Sequence, residues 1–347
     1  MTSLAIESMG AFTSVGGDLS TTMASLLTLV QRFSDLGVAG AKGRPVIGAP
    51  TLLPNHTRGI DRLAVLGLFP LDESIATAPE RFRVPLPLII CCGDERDLGC
   101  APGNLLQRIL DEAPAELAVT DSHIFVRGRE RLGDAIAMAG KLLDDGRWPG
   151  CHLLAVDSMI GGRALRRLID DEKVIQPGQP EGLVPGEAAV TLLLAKPQTV
   201  RLNPGDVRIA GTTFAAGSMA SAASGPPYRR LASVVDRALT AGGIAAVELA
   251  ALVHDGTASR RISEEIAIYR TMAGIGAIQT FTPTICTGDL GAASGLLSLA
   301  AMAFYMGRAV VSGPGLCIFT DDSSFRGAAV LKGSPGVRSG PGARYSG

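Results

Sequence analysis

The sequence predicts a layered α/β fold built as two similar halves, and three observations carry that prediction. Short apolar runs of strand length alternate with amphipathic helical stretches along the chain. Hydrophobic residues make up 46% of the 347 residues, yet only 4% are aromatic and 43 are glycine. Elements of that composition approach one another over small side chains. Finally, GDAIAMAGKLLDDG before CHLLAV and GAASGLLSLAAMAFYMG before RAVVS repeat one unit: a small-residue helix, a glycine and a strand. A helix with Ala, Gly, Leu and Met on nearly every side has little polar surface to offer water and belongs in an interior. Two such helices, one per half, predict a five-layer duplicated architecture with a helical layer between two sheets. Two ordinary helices on a single open sheet are the alternative.

In order, a short apolar strand runs through the glycine turn GAFTSVGGD into the helix LSTTMASLLTLVQRF. GRPVIGAPTLLPNHTRG reads as loop, and DRLAVLGLFPLDESIATA as a helix that Pro70 breaks or bends. VPLPLIICCG is a buried strand, NLLQRILDEA a helix, ELAVTDSHIFVRG extended, RERLGDAIAMAGKLLDDG a helix with a glycine stop, and CHLLAVDS a strand. SMIGGRALRRLIDDEKVI is helical, AAVTLLLAKP a central strand, VRIAGTTFAAG a strand and turn, and YRRLASVVDRALTAGG a helix. RAVVSG, GLCIFT and GAAVLKG are the last strands, and SPGVRSGPGARYSG has the composition of a flexible tail.

Net charge is −1 and no Lys/Arg run forms a stripe, so nucleic acid and anionic membrane surfaces are not expected partners. No stretch of about 18 apolar residues marks a membrane span and the start lacks a secretory signal, which makes the cytoplasm the expected location. The six cysteines are irregularly spaced without a CxxC pair. They read as reduced, mostly buried residues; neither a metal nor another cofactor is expected. Cys91 and Cys92 end the run PLPLIICC and read as strand residues.

Three motifs carry a family resemblance. The opening GAFTSVGGD, then AVDSMIGG leading through a loop to PGEAA (Pro185 to Ala189) and the long strand after it, and then TGDLGAASG (Thr287 to Gly295) occur in this order. Together they resemble the β-ketoacyl-acyl carrier protein synthases, whose corresponding motifs read PGEGA and TGHLLGAAG. The resemblance implies a thiolase-like αβαβα fold of two βαβαβαββ halves, here 1–200 and 201–334, with 335–347 as a tail. It also implies a dimer and a catalytic cysteine at the N-terminus of the first buried helix, where the helix dipole and backbone N–H groups lower its pKa and hold an oxyanion. Histidines assist decarboxylation and condensation.

The catalytic positions of that family are altered here. Counting back from Val156 sets Arg129 at the nucleophile, and its neighbours Arg127, Gly128, Glu130 and Arg131 offer no acyl nucleophile either. Ser122 is the nearest hydroxyl. The arginines admit an anion or phosphopantetheine-phosphate site, or simple ion pairs. Asp289 replaces the second histidine and also suits an N-cap for the helix after it; Thr284 replaces a lysine. His254, in ALVHDGTASRRI, is the one catalytic candidate, with Asp255 and Gly256 aligning in another register. The gating loop, glycine-rich in the family, becomes Asp322, Ser323, Ser324 and Phe325, which predicts a narrowed pocket. The expected function is therefore that of a synthase-like protein without condensing activity, an accessory or dimer-partner subunit in acyl or polyketide metabolism. Its partners would be a second copy or a related synthase, and acyl carrier protein. An active acyltransferase with altered residues and a thiolase-fold binding or scaffold protein are the alternatives.

Overall fold

A computed structural model describes residues 3–40, 43–54, 57–115, 117–176, 181–197, 205–215, 227–256, 260–321 and 325–333. The expected tail 335–347 and loop residues Asp322, Ser323 and Ser324 lie outside them.

Strands β1 (Leu4–Thr13), β4 (Pro87–Cys92), β5 (Ala118–Phe125), β6 (Gly150–Ser158) and β7 (Glu187–Ala195) form the first half of the main sheet. Strands β8 (Val207–Ala215), β9 (Ala251–His254), β10 (Gln279–Phe281), β11 (Gly315–Thr320) and β12 (Arg326–Gly333) form the second. The spatial order is β10-β9-β11-β12-β8-β1-β7-β6-β4-β5. Numbered within its own half, each set reads third, second, fourth, fifth, first from its outer edge inward. The directions repeat as well: β1–β7 and β7–β6 are antiparallel, as are β8–β12 and β12–β11. Pairs β6–β4 and β4–β5 are parallel, as are β11–β9 and β9–β10. The halves join where Leu4 pairs Ile209, and they close over a shared interior.

That interior holds helices α5 (Gly128–Asp144) and α10 (Ala293–Gly307). The Ala/Gly/Leu/Met composition of α10 leaves 13 of its residues buried, from Ala293 to Met306. The largest hydrophobic cluster joins both helices to inward-facing residues of both half-sheets, such as Ile89, Leu192, Val253 and Phe319. Helices α2 (Gly59–Thr77) and α4 (Pro102–Glu112) cover the outer face of the first half through Leu66, Leu71, Leu105 and Ile109. Helices α7 (Pro227–Gly242) and α8 (Arg260–Met272) cover the second through Leu231, Val235 and Ile266. These separate apolar interfaces are what five layers require, so the duplicated architecture holds and the single open sheet does not.

The remaining elements are α1 (Leu19–Leu27), strands β2 (Ser34–Ala39) and β3 (Pro45–Gly48), α3 (Glu95–Leu98), α6 (Gly162–Asp170) and α9 (Thr284–Thr287). Three local expectations need correction. Helix α2 runs unbroken through Pro70, whose backbone lies against Gly10 so closely that a Cβ there would stand 2.0 Å from the Pro70 oxygen. Tertiary packing thus holds the helix across a residue that intrinsically breaks it. Residues 45–48 are a strand, β3, which pairs with β2 antiparallel rather than lying in a loop. Residues 308–311 are a turn and bend instead of a strand, because Ala309 closes α10 in the left-handed region (φ 56°) and Val310 and Val311 donate back to the Tyr305 carbonyl.

Candidate functional site

Both buried helices begin at the same place. Gly128 opens α5 against the end of β4 and the start of α10, where a Cβ would stand 2.8 Å from Ala292 Cβ and 2.9 Å from Cys91 Cβ. No residue but glycine fits. The residue before it, Arg127, takes the left-handed conformation (φ 57°, ψ 45°), which costs a non-glycine residue roughly 1–2 kcal/mol. This bend turns the chain from β5 into the helix and sets Arg129 in its first turn.

Arg129 and Asp289, chosen independently from two motifs, form one ion pair. The Arg129 guanidinium holds the Asp289 carboxylate through both terminal nitrogens, Nη1 at 3.2 Å from Oδ2 and Nη2 in a shorter contact with Oδ1. Nε donates to the Gly291 carbonyl at 3.1 Å and Nη2 to Ser294 Oγ at 2.9 Å. The side chains are 13% and 3% exposed. Burial opposes the charge on Arg129, but Asp289 and Asp255 outweigh it and raise its pKa. Arg127 pairs with Glu130 at 2.6 Å and Arg131 with Asp134. Each arginine of the cluster therefore carries a carboxylate partner from this chain.

Asp289 does not cap α10. The helix starts four residues later, and Asp289 accepts instead from Gly291 N at 2.8 Å. The α10 N-terminus is served by Asp157 at the end of β6, which accepts from Ala292 N at 2.8 Å. Asp157 fits because Gly93 and Gly291 lack side chains: a Cβ on either would stand 2.5 Å and 2.0 Å from its oxygens. The residue was missed in the sequence, where its one signal is a carboxylate ending the otherwise apolar run CHLLAVD.

Asp255 is fully buried and Asp157 partly so, and desolvation pushes their pKa values up, to about 7 and about 6. Asp255 accepts from Thr320 N at 2.8 Å through Oδ1, while its Oδ2 has no partner among the described residues. A carboxyl raised on folding contributes stability that is fully present below its unfolded value near 4 and is lost as pH rises through its folded value. Asp255→Asn is thus expected to be more stable than the parent at pH 8, by of order 2 kcal/mol. The gap should shrink toward pH 5 in urea titrations at both pH values.

Two cavities meet at Asp289. One, about 280 Å³, is walled by Arg127, Arg129, Asp157, Arg167 and Asp321. The other, about 400 Å³, is walled by Gln31, His254, Ser263, Thr282 and Thr284. Thus the structure brings His254, Thr284 and Asp289 to one cavity, with Arg129 behind Asp289. His254 Nδ1 accepts from Gly256 N at 3.2 Å, which leaves the proton on Nε2 to donate to Thr282 Oγ1 at 2.9 Å. Burial, then the Arg270 charge, lowers its pKa to about 4, so the ring is neutral near pH 7. Thr284 Oγ1 donates to the Gly256 carbonyl at 2.7 Å. Phe325 is 1% exposed and lies in the interior cluster, its ring 6.4 Å from that of Phe214. It belongs to the wall of neither cavity.

Thiol chemistry has no accessible start among these groups. Cys91 lies behind Gly128, fully buried, with burial raising its thiol to about 12. Burial likewise raises Cys92, Cys151, Cys286 and Cys317. Cys100 alone is partly exposed. Iodoacetamide under native conditions is expected to label Cys100 and leave the other five unmodified until denaturant is added, as peptide mass spectrometry would show. Ser122, the nearest hydroxyl, is tied into β5 by bonds to the Ala118 carbonyl and from Leu88 N. Among the described residues no group of three or more His, Cys, Asp or Glu side chains is placed to hold a metal, and no helix is long and apolar enough to cross a membrane.

No protein-family model matches the chain, and no curated protein matches it in sequence. Solved structures do. The PfaC keto synthase–chain length factor superposes with TM-score 0.70 at 14% identity, over 96% of this chain and 43% of that one. The chain thus spans less than half of that protein. The ishigamide ketosynthase/chain length factor gives TM-score 0.72 at 12% identity, with 96% and 99% covered. AntDE:AntF, a type II polyketide synthase acyl carrier protein in complex with its ketosynthase bound to the hexaketide, gives 0.73 at 12%, with 96% and 99% covered. The fold is the thiolase-like fold of ketosynthases.

Proposed function

We propose that the chain is a ketosynthase-like protein without condensing activity, acting as dimer partner or accessory subunit to an acyl carrier protein-dependent synthase in acyl or polyketide metabolism. One observation carries the reading: the Arg129–Asp289 pair lies where the two buried helices begin. A condensing enzyme needs a thiolate there, with helix dipoles and backbone N–H groups free to hold developing negative charge. Here Asp157 and Asp289 already accept from the N–H groups leading into α10, and a guanidinium, which cannot form a thioester, extends from the first turn of α5. In this reading Arg129, Thr284 and Asp289 replace the catalytic cysteine, lysine and second histidine, and the halves divide at 1–200 and 201–334.

The alternative of an active acyltransferase built around His254 is disfavoured because both ring nitrogens are engaged and no cysteine belongs to the cavity wall. An anion-binding scaffold is disfavoured because Arg127, Arg129 and Arg131 are each paired. Support for a partner role comes from names: ketosynthase and chain length factor stand together in two of the similar structures. A cytoplasmic location follows from the same role. Co-expression with a related active synthase and acyl carrier protein tests the proposal. Co-elution of the chain with the synthase in size-exclusion chromatography is expected, and recovery of neither partner overturns it.

A further inference from the structure

Three aspartates act on one guanidinium where the two buried helices begin. Asp289 is paired with Arg129, Asp157 stands at the N-terminus of α10, and Asp255 follows β9. Asp255 and Asp289 are 0% and 3% exposed, and Asp157 is partly buried. Three carboxylates against one guanidinium leave an excess of negative charge that a poorly hydrated site does not hold. A proton on one of them relieves it.

Hydrogen bonding says which one. Asp289 receives Arg129 on both oxygens and Gly291 N on Oδ1. Asp157 accepts a backbone N–H on each oxygen, Oδ1 from Ser158 at 2.8 Å and Oδ2 from Ala292 at 2.8 Å. Bonds to both oxygens favour the ionised form. Asp255 differs: Oδ1 accepts from Thr320 N at 2.8 Å and Thr320 Oγ1 at 3.2 Å, while Oδ2 has no partner among the described residues. Desolvation, against the pull of Arg129, raises Asp255 to about 7, which leaves Asp157, at about 6, the stronger acid.

Arg129 from α5 is the cation that acts on Asp255, and Asp289, before α10, is the anion that does. Asp321, after β11, acts on Arg129 and accepts from Phe325 N at 3.2 Å. The Cys317 thiol on β11 is close enough to feel Asp255. His254, the neighbour in β9, has both ring nitrogens engaged at the other cavity. Arg326 reaches the Asp321 carbonyl at 3.1 Å and is paired with Glu265 at 2.8 Å. Arg129 and Asp255 meet on Thr320, whose N–H goes to Asp255 and whose carbonyl lies 3.5 Å from Arg129 Nη1. Nη1 is the looser end of the guanidinium, 3.2 Å from Asp289 Oδ2, whereas Nη2 makes the short contact with Oδ1.

We propose that Asp255 carries a proton on Oδ2 in the folded chain and that this proton is a switch on the Arg129–Asp289 pair. While it is in place, both ends of the guanidinium stay on Asp289. Once it leaves to solvent, the bare Oδ2 draws Nη1 across Thr320, and Asp289 is held by Nη2 and the Gly291 N–H alone. Asp289, which walls both cavities, then presents Oδ2 without its guanidinium. A rise in pH through neutrality opens the pair. The switch works at the site already described but does not rest on the absence of condensing activity.

The test is NMR of the full chain, labelled with ¹³C at aspartate carboxyls and ¹⁵N in arginine side chains, between about pH 5 and about pH 9. The Asp255 signal, identified by its loss in Asp255→Asn, is expected to titrate near pH 7. The Arg129 side-chain signals, identified by their loss in Arg129→Lys, should shift with the same midpoint and stay still in Asp255→Asn above about pH 6. Thr320→Val removes the hydroxyl that favours the ionised Asp255 and keeps the backbone donor, so it should raise both midpoints together. This variant reads the coupling even where Asp255→Asn does not fold. The proposal is overturned if Asp255 is already fully ionised at about pH 5.5, if Arg129 is silent across the range, if its shift persists in Asp255→Asn, or if Thr320→Val moves one midpoint without the other.

Discussion

Replacing Arg129 with methionine is expected to destabilise the fold by about 3–5 kcal/mol, the cost of leaving a buried charge without its partner. Asp289 is 3% exposed and receives two guanidinium bonds plus one from Gly291 N. Without Arg129 only the backbone bond remains. Asp289→Leu alone strands the guanidinium in the same way, since its other partners are the Gly291 carbonyl, a 3.5 Å contact to the Thr320 carbonyl and the Ser294 hydroxyl. The double variant Arg129→Met/Asp289→Leu removes both charges and should recover most of the loss. Urea denaturation of the four proteins gives the coupling directly. Strict additivity of the single effects would show that the pair does not act as a unit.

Glu187→Ala is expected to cost a comparable 3–5 kcal/mol, because Glu187 organises a second buried network. The glutamate opens β7 and is fully buried. It accepts from Arg62 Nε at 2.8 Å, Thr51 N at 2.9 Å, Thr51 Oγ1 at 2.7 Å and Ser158 Oγ at 2.8 Å. Burial works against its charge, yet Arg62 and Thr51 outweigh it and the net shift is downward. A carboxylate lowered on folding contributes stability that is present above its unfolded value near 4.5 and lost as pH falls through its folded value. The variant's deficit, measured by urea titration at pH 7 and again in acid, should therefore shrink on acidification. A deficit independent of pH would assign the effect to packing alone.

The same network explains why PGEAA was readable as a motif. Gly186 has no room for a side chain, since a Cβ would stand 2.3 Å from the Thr287 carbonyl. Its N–H donates to the Asp289 carbonyl at 2.8 Å, so PGEAA and TGDLGAASG are in direct contact. Glycines at close backbone approaches are legible in a sequence because few residues satisfy the contact. The buried helices were legible for a related reason: α10 shows almost no polar side. What escaped was non-local. The unbroken passage of α2 across Pro70 depends on its packing against Gly10, the β2–β3 pairing on a partner strand, and the capping of α10 on Asp157, 135 residues away. Local propensity sees none of these. Arg129 and Asp289 were each found by motif position, but their pairing is a fact of the fold.

Oppositely charged residues stand at the opening of the two buried helices and satisfy one another, so the place most suited to stabilising a reactive anion holds a closed ion pair. Fold likeness to ketosynthases says nothing by itself about activity. The most direct measurement is intact-protein mass spectrometry of the chain incubated with an acyl-loaded carrier protein and a related active synthase. An acyl adduct is expected on the synthase and none on this chain. A stoichiometric acyl adduct on one of this chain's own cysteines would contradict it.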